Sequence, residues 1–245
     1  LNIQLAWRLT RVVLHLCAGL CTCALVFPWA SWTRRDRLIR NWSRRLLGLC
    51  RVTVEQVPGN QALPCALIVA NHISWLDIFV INSLYPCRFV AKAEIRRWPL
   101  LGWLVASAGT VFIERGKRRD LRDIFKDLVA VLAQGNRVAF FPEGTTALQG
   151  TLLPFHANLF EAARDADVAI QPFALEYVDG RGGHHGAVDY VGETTFVDSL
   201  FMILSGEPVL ARLTCLAPIA TNGTHRRELA KAAQSAVAGA LRPRT

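Results

Sequence analysis

Charge is what this chain has least of. Asp, Glu, Lys and Arg together make up 19% of 245 residues, against 52% hydrophobic ones. That is apolar for a freely soluble protein, and the length supports a sizeable core in one large domain or one domain plus an appendage. Acids are scarcer than bases, 19 to 28, so the net charge is +9 and the pI near 9.7. The imbalance calls for a polyanionic partner, either nucleic acid or an anionic membrane surface with phosphorylated ligands. No disulfide framework or zinc-ligand spacing exists among the seven cysteines at 17, 21, 23, 50, 65, 87 and 215. An odd number lying mostly in apolar stretches reads as reduced, buried thiols in a cytosolic compartment. No G-x-S-x-G elbow surrounds any serine, which removes the usual serine nucleophile. Repeats and low-complexity linkers are also missing, so a single α/β domain behind a membrane-associated N-terminus is expected.

What is present begins with an uncharged run from Val12 to Ala30, with Trp7, Trp29 and Trp32 at its ends. About 20 apolar residues cross a hydrocarbon core, and tryptophans favour the interface, so a membrane helix is expected. A buried core helix is one alternative. A signal peptide is the other, although Pro28-Trp29-Ala30-Ser31-Trp32 lacks the small residues of a cleavage site. Thr33 to Arg51 then carries seven arginines against one acid, Asp36. By the positive-inside rule the bulk of the chain lies in the cytoplasm, at the inner membrane. Leu38, Ile39, Trp42, Leu46, Leu47 and Leu49 recur among the arginines at near-helical spacing, as in a basic amphipathic helix on anionic lipid. The boundary is placed so that residues 1–55 form the N-terminal membrane-associated segment and 56–245 the α/β domain.

After Pro58-Gly59 short apolar strands alternate with helical or irregular stretches. Strands are expected at Ala66–Ala70, Arg88–Ala91, Thr110–Ile113, Val138–Phe141, Ala169–Tyr177, Val188–Val191 and Val209–Leu216. The fold class is α/β, a mixed, mostly parallel sheet flanked by helices. The clearest helix runs from Asp120 to Gln134, with Leu121, Ile124, Phe125, Leu128, Val131 and Leu132 in one stripe and Gly135 as C-cap. An alanine-rich helix from Thr221 to Leu241 carries a face of Leu229, Ala233, Val237 and Leu241.

Three strand ends carry chemistry. Asn71-His72-Ile73-Ser74-Trp75-Leu76-Asp77 follows the first strand, at the carboxyl edge where α/β folds place their sites. If His72 lies just before a helix and Asp77 in its first turn, the carboxylate takes the imidazole Nδ1–H and leaves Nε2 free as a base. Ser74-x-x-Asp77 equally fits a capping box, in which Asp77 is purely structural. Val111-Phe112-Ile113-Glu114-Arg115 presents an arginine suited to bidentate phosphate binding; Lys117, Arg118 and Arg119 behind it read as a solvated turn. Phe140-Phe141-Pro142-Glu143-Gly144-Thr145-Thr146 is a rigid turn exposing a carboxylate and backbone amides, or an ordinary proline-glycine turn.

Together these blocks resemble the glycerolipid acyltransferase superfamily, in particular the 1-acyl-sn-glycerol-3-phosphate (lysophosphatidate) acyltransferases. His72-x4-Asp77 matches the family's N-H-x4-D block, Phe112-Ile113-Glu114-Arg115 its F-I-x-R block and Phe141-Pro142-Glu143-Gly144-Thr145 its F-P-E-G-T block, while Gln171-Pro172-Phe173-Ala174 looks like the fourth. The resemblance covers roughly residues 60 to 180, and joint occurrence in order is far more specific than any one block. It implies a membrane-bound enzyme that moves an acyl chain from acyl-CoA or acyl carrier protein to a lyso-lipid hydroxyl, without cofactor or metal and without nucleic acid as a partner. His72 and Asp77 would be catalytic. Arg115, Glu143, Gly144, Thr145 and, more weakly, Lys92 would bind the acceptor. The family's third block usually continues with Arg then Ser, whereas Thr146 and Ala147 stand here. That departure leaves the acceptor head group open, since relatives that acylate lyso-ornithine lipid share these blocks.

Two other classes remain for the same residues. A hydrolase, with or without a metal, would use His72, Asp77, His184 and His185; this spacing matches no familiar ligand set. A non-catalytic lipid- or nucleic-acid-binding protein would function without His72.

Overall fold

A computed structural model describes residues 3–113 and 118–241 of the chain. The side chains of Leu101 and of residues 118–124 lie outside the description, so Leu121 and Ile124 are not placed. Arg115 and Lys117 fall outside the described residues altogether.

Helix α1 (Ile3–Leu25) is followed by a single 3-10 turn and then α2 (Trp32–Leu49). The remaining elements run β1 (Val52–Val57), β2 (Ala66–Ala70), α3 (Leu76–Leu84), β3 (Arg88–Lys92), α4 (Leu101–Ser107), β4 (Val111–Ile113), α5 (Arg118–Ala133) and β5 (Arg137–Phe140). They end with α6 (Phe160–Asp165), β6 (Ile170–Val178), α7 (Phe196–Ser205), β7 (Val209–Cys215) and α8 (Arg226–Ala240). The strands form one seven-stranded sheet in the order β1-β7-β6-β2-β5-β3-β4. Among these neighbours β6 and β7 pair antiparallel and every other pair is parallel. The expected mixed, mostly parallel α/β sheet is therefore what forms.

Strand geometry decides the two cores. Successive side chains on β2 point to opposite faces, so Ile68 and Ala70 join one apolar cluster and Leu67 and Val69 the other. The first cluster is covered by α2, α3 and α7 through Leu46, Leu47, Leu76, Val80, Ile81, Ile203 and Leu204. The second is covered by α5, α6 and α8, where Leu128 and Leu132 and then Leu229, Ala233 and Val237 bury the expected helical stripes. Each such large side chain contributes about 1.5–3 kcal/mol by leaving water, and a strand covered on both faces must be apolar throughout.

Two expectations at the level of elements change. Val188–Val191 forms no strand: a 3-10 turn covers Gly186–Val188, and Val188 is buried by side-chain packing rather than by ladder pairing. Strand β1 was not expected. Its residues Val52 to Val57 pair in register with Val209 to Thr214 of β7, so the sheet extends across the division drawn at residue 55.

The N-terminal helices pack on the domain and on each other. Arg8 Nη1 donates to the carbonyl of Leu204 on α7 at 2.6 Å. His15 stacks on Trp42 of α2 with centroids 4.7 Å apart, and Trp42 Nε1 donates to the His15 carbonyl at 3.2 Å. Gly19 permits this approach: a Cβ there would lie 2.6 Å from Trp42 Nε1 and 3.3 Å from Leu104 Cδ1 of α4. The apolar face of α2 is used against the domain through Leu46 and Leu47, leaving Arg34, Arg37 and Arg45 exposed. Helix α1 instead keeps an exposed apolar stripe that includes Ile3, Trp7, Leu14 and Leu25.

Candidate active site

The parallel strands β2, β3, β4, β5 and β6 deliver their carboxyl ends to one edge of the sheet, and the three motif segments leave from that edge. Beyond the last residue of β2, Asn71 continues the pairing with its side chain: Nδ2 donates to the Leu175 carbonyl at 2.9 Å and Oδ1 accepts the Leu175 N–H at 2.8 Å. A buried amide satisfied on both atoms fixes where the strand stops and the turn begins. His72 is the next residue.

Asp77 opens the first turn of α3 and is fully buried. Its Oδ2 accepts His72 Nδ1 at 2.7 Å, together with the backbone N–H groups of Ile73 at 2.7 Å and Ser74 at 3.0 Å. One carboxylate thus accepts the amides at the start of the helix and orients the imidazole. A buried carboxylate is tolerable only when its lone pairs are occupied by donors, and here they are. The imidazole lies flat on Phe141, with ring centroids 3.9 Å apart and planes 6° from parallel. His72 is 19% exposed, and among the described residues nothing bonds its Nε2.

Glu143 closes the site from behind. Its Oε1 accepts the backbone N–H of His72 at 2.7 Å and its Oε2 that of Leu153 at 2.8 Å. Burial pushes its carboxyl above the ordinary range, opposed by those two amides and then by the charge of His72. Both oxygens are committed to the backbone, so this side chain braces the turn that carries His72. Gly144 follows at φ 72°, a left-handed conformation that turns the chain sharply after the buried carboxylate and leaves Thr145 exposed. Thr146 Oγ1 donates to the Tyr190 carbonyl, so the position where the family usually carries arginine ties the turn to a neighbouring loop.

Lys92 ends β3 on the same edge and is exposed; β4 ends at Ile113, two residues before Arg115. His184 is bridged to Val178, the last residue of β6, and among the described residues it forms no metal-binding cluster with the dyad. Sequence reasoning gave no role to Asn71, to the Phe141 ring or to Tyr177, whose hydroxyl donates to Asp77 Oδ1 at 2.6 Å. The first two stood inside blocks already singled out. Tyr177 is 100 positions from Asp77 and had no local signal.

A family model described as Acyltransferase matches residues 51–176, the span that contains the dyad and every motif segment. The chain belongs to this acyltransferase family. The acyltransferase is 41% identical to the lyso-ornithine lipid O-acyltransferase of Pseudomonas aeruginosa, across 84% of this chain and 79% of that protein. It is also 41% identical to the 1-acyl-sn-glycerol-3-phosphate acyltransferase of Neisseria meningitidis serogroup B, across 60% of this chain and 58% of that protein. The crystal structure of the 1-acyl-sn-glycerophosphate acyltransferase PlsC from Thermotoga maritima shares the fold, with a TM-score of 0.65 over 95% of each chain at 19% identity. The acyltransferase therefore carries its imidazole-carboxylate pair on the sheet edge of a PlsC-like fold.

Proposed function

We propose that this acyltransferase moves a fatty acyl chain from acyl-CoA or acyl carrier protein to the free hydroxyl of 1-acyl-sn-glycerol-3-phosphate, giving phosphatidate. The observation that supports it most is His72, with Nδ1 held by Asp77 and Nε2 partly exposed and, among the described residues, unbonded. Nε2 takes the proton of the acceptor hydroxyl as its oxygen attacks the thioester carbonyl. A C–O bond forms, the tetrahedral oxyanion collapses, the C–S bond breaks, and the departing thiolate recovers the proton from the imidazolium. Asp77 stabilises that imidazolium, and no acyl-enzyme is needed. The amides of His72, Ile73 and Ser74 are already donated to carboxylates and that of Gly144 to the Phe141 carbonyl at 3.1 Å, so within these turns the oxyanion is assigned to the exposed Thr145. Arg115, Lys92 and Thr145 would hold the acceptor head group.

A second acceptor, lyso-ornithine lipid, is favoured by one particular position. Thr146 stands where a phosphate-binding cation is expected, and its hydroxyl is spent on the Tyr190 carbonyl. The long match to the Pseudomonas aeruginosa protein points the same way.

The enzyme works at the cytoplasmic face of the inner membrane with α1 lying in the interface. Its 23 residues reach roughly 35 Å, long enough to cross a bilayer. However, α1 packs on the rest of the chain at Arg8, His15 and Gly19, against α7, α2 and α4, and a helix held along much of its length lies beside the domain rather than projecting through lipid. The exposed arginines of α2 suit anionic head groups.

The deciding experiment measures acyl transfer from labelled acyl-CoA and acyl carrier protein to lysophosphatidate and lyso-ornithine lipid, with wild-type and His72→Ala protein in detergent. Phosphatidate formed by the wild type and lost in the variant is the expected result. Product from lyso-ornithine lipid alone transfers the mechanism to the second acceptor. Turnover that survives His72→Ala overturns the base.

A further inference from the structure

The four donors on Asp77 are shared unequally between its oxygens. Oδ2 accepts His72 Nδ1 and the amides of Ile73 and Ser74; among the described residues Oδ1 has one partner, the Tyr177 hydroxyl at 2.6 Å. Tyr177 comes from β6, whereas Asp77 comes from α3, and neither side chain is exposed. Rotation about Cβ–Cγ would carry Oδ2 off its three donors, so the local turn already resists it, and the Tyr177 hydroxyl adds the anchor on Oδ1 that comes from another strand. The main chain of Tyr177 is held in turn: its N–H donates to Gln149 Oε1 at 2.8 Å, and Gln149 Nε2 donates to the His185 carbonyl at 3.2 Å.

We propose that Tyr177 is a positioning residue for the base, setting through Asp77 both the orientation of His72 and the charge that its imidazolium meets. The hydroxyl draws negative charge toward Oδ1, away from the oxygen that faces His72. A shared carboxylate orients the ring while releasing the proton to the leaving thiolate more readily than an undivided charge would. Burial first, and the Asp77 charge second, push the phenol well above its ordinary range, so it remains a donor at working pH. Glu143 also faces His72, and its oxygens are occupied by amides.

This assignment rests on His72 acting as the base. Its test compares wild type, His72→Ala, Tyr177→Phe and a protein with 3-fluorotyrosine at 177, a stronger donor of nearly the same shape. Tyr177→Phe is expected to lower kcat roughly tenfold to a hundredfold with little change in KM for donor or acceptor. It should also move the acid limb of the kcat/KM profile to higher pH, because the unrelieved carboxylate holds the imidazolium more tightly. Fluorotyrosine should move the same limb to lower pH. An unmoved limb in both proteins, or a fall in kcat that only follows the folded fraction by circular dichroism, overturns the positioning role. If Tyr177→Phe does not fold, the fluorotyrosine shift decides alone. Activity retained by His72→Ala overturns the base itself, a result distinct from an unmoved limb in a series where His72→Ala is dead.

Discussion

The backbone N–H of His72 donates to Glu143 Oε1 at 2.7 Å across 71 positions of sequence. Two of the family's blocks are thereby locked together through main chain, independently of any substrate. Removing the carboxylate should act on the position of His72 before it acts on acceptor binding.

Glu143→Gln places an amide NH2 against one of two backbone donors, so one bond is lost and a buried N–H is left unpaired. The cost should be about 1–3 kcal/mol of stability, with a fall in kcat larger than any rise in KM. The pH dependence has a definite sign. Burial raises the native carboxyl, so the folded protein holds this proton to higher pH than the unfolded chain. The stabilisation tied to that proton is full below the ordinary glutamate value and is lost as pH rises through the raised native value. The stability advantage of wild type over Glu143→Gln should therefore narrow as pH rises from the ordinary glutamate value through the raised native one. Thermal melts of both proteins across that range check it; an advantage that widens with pH contradicts the assignment.

Phe141 supplies the surface on which the imidazole lies, 3.9 Å between centroids. Phe141→Leu keeps an apolar side chain and loses the flat face that steadies the ring and attracts the imidazolium. A stacked aromatic pair is worth about 0.5–1.5 kcal/mol beyond its area, so kcat should fall roughly two- to tenfold with the melting temperature little changed. Steady-state kinetics at saturating acceptor measure this. Full activity in the variant would assign the stacking to packing alone.

The seven cysteines divide by environment more sharply than their apolar surroundings suggest. Cys17 and Cys21 are exposed on the outer stripe of α1, whereas Cys50 is buried and its thiol is pushed up to about 12 by desolvation. Burial also pushes the Cys87 thiol up and raises that of Cys215 to about 11. A polar maleimide near neutral pH should therefore label Cys17 and Cys21 in detergent-free protein and spare Cys50, Cys87 and Cys215. Anionic vesicles should then protect Cys17 and Cys21, because the stripe they share with Trp7 and Leu14 is the surface proposed to enter lipid. Mass spectrometry of the labelled peptides reads both outcomes, and unchanged labelling with vesicles present would argue against an interfacial α1.

The local chemistry was legible because its period is short. Asp77 lies five positions after His72, across one strand end and one helical turn, so chain geometry alone brings them together once β2 stops at Ala70. The buried strands were likewise readable from unbroken apolar runs, and α8 from its 3.6-residue stripe, since each pattern reports which face must leave water. Strand β1 was not legible: it pairs with just one neighbour and alternates weakly, with Thr53, Glu55 and Gln56 exposed. Val188 failed in the opposite sense, its apolar character being satisfied by packing without a ladder. The partners that complete the site arrive from other strands. Glu143 from beyond β5 and Tyr177 on β6 reach His72 and Asp77 only because parallel strands align their carboxyl ends in one sheet. Sequence by itself determined which residues form the imidazole-carboxylate pair; the register of β2 against β5 and β6 decided what holds them still, because a hydrogen bond across 71 or 100 positions exists only once the sheet has formed.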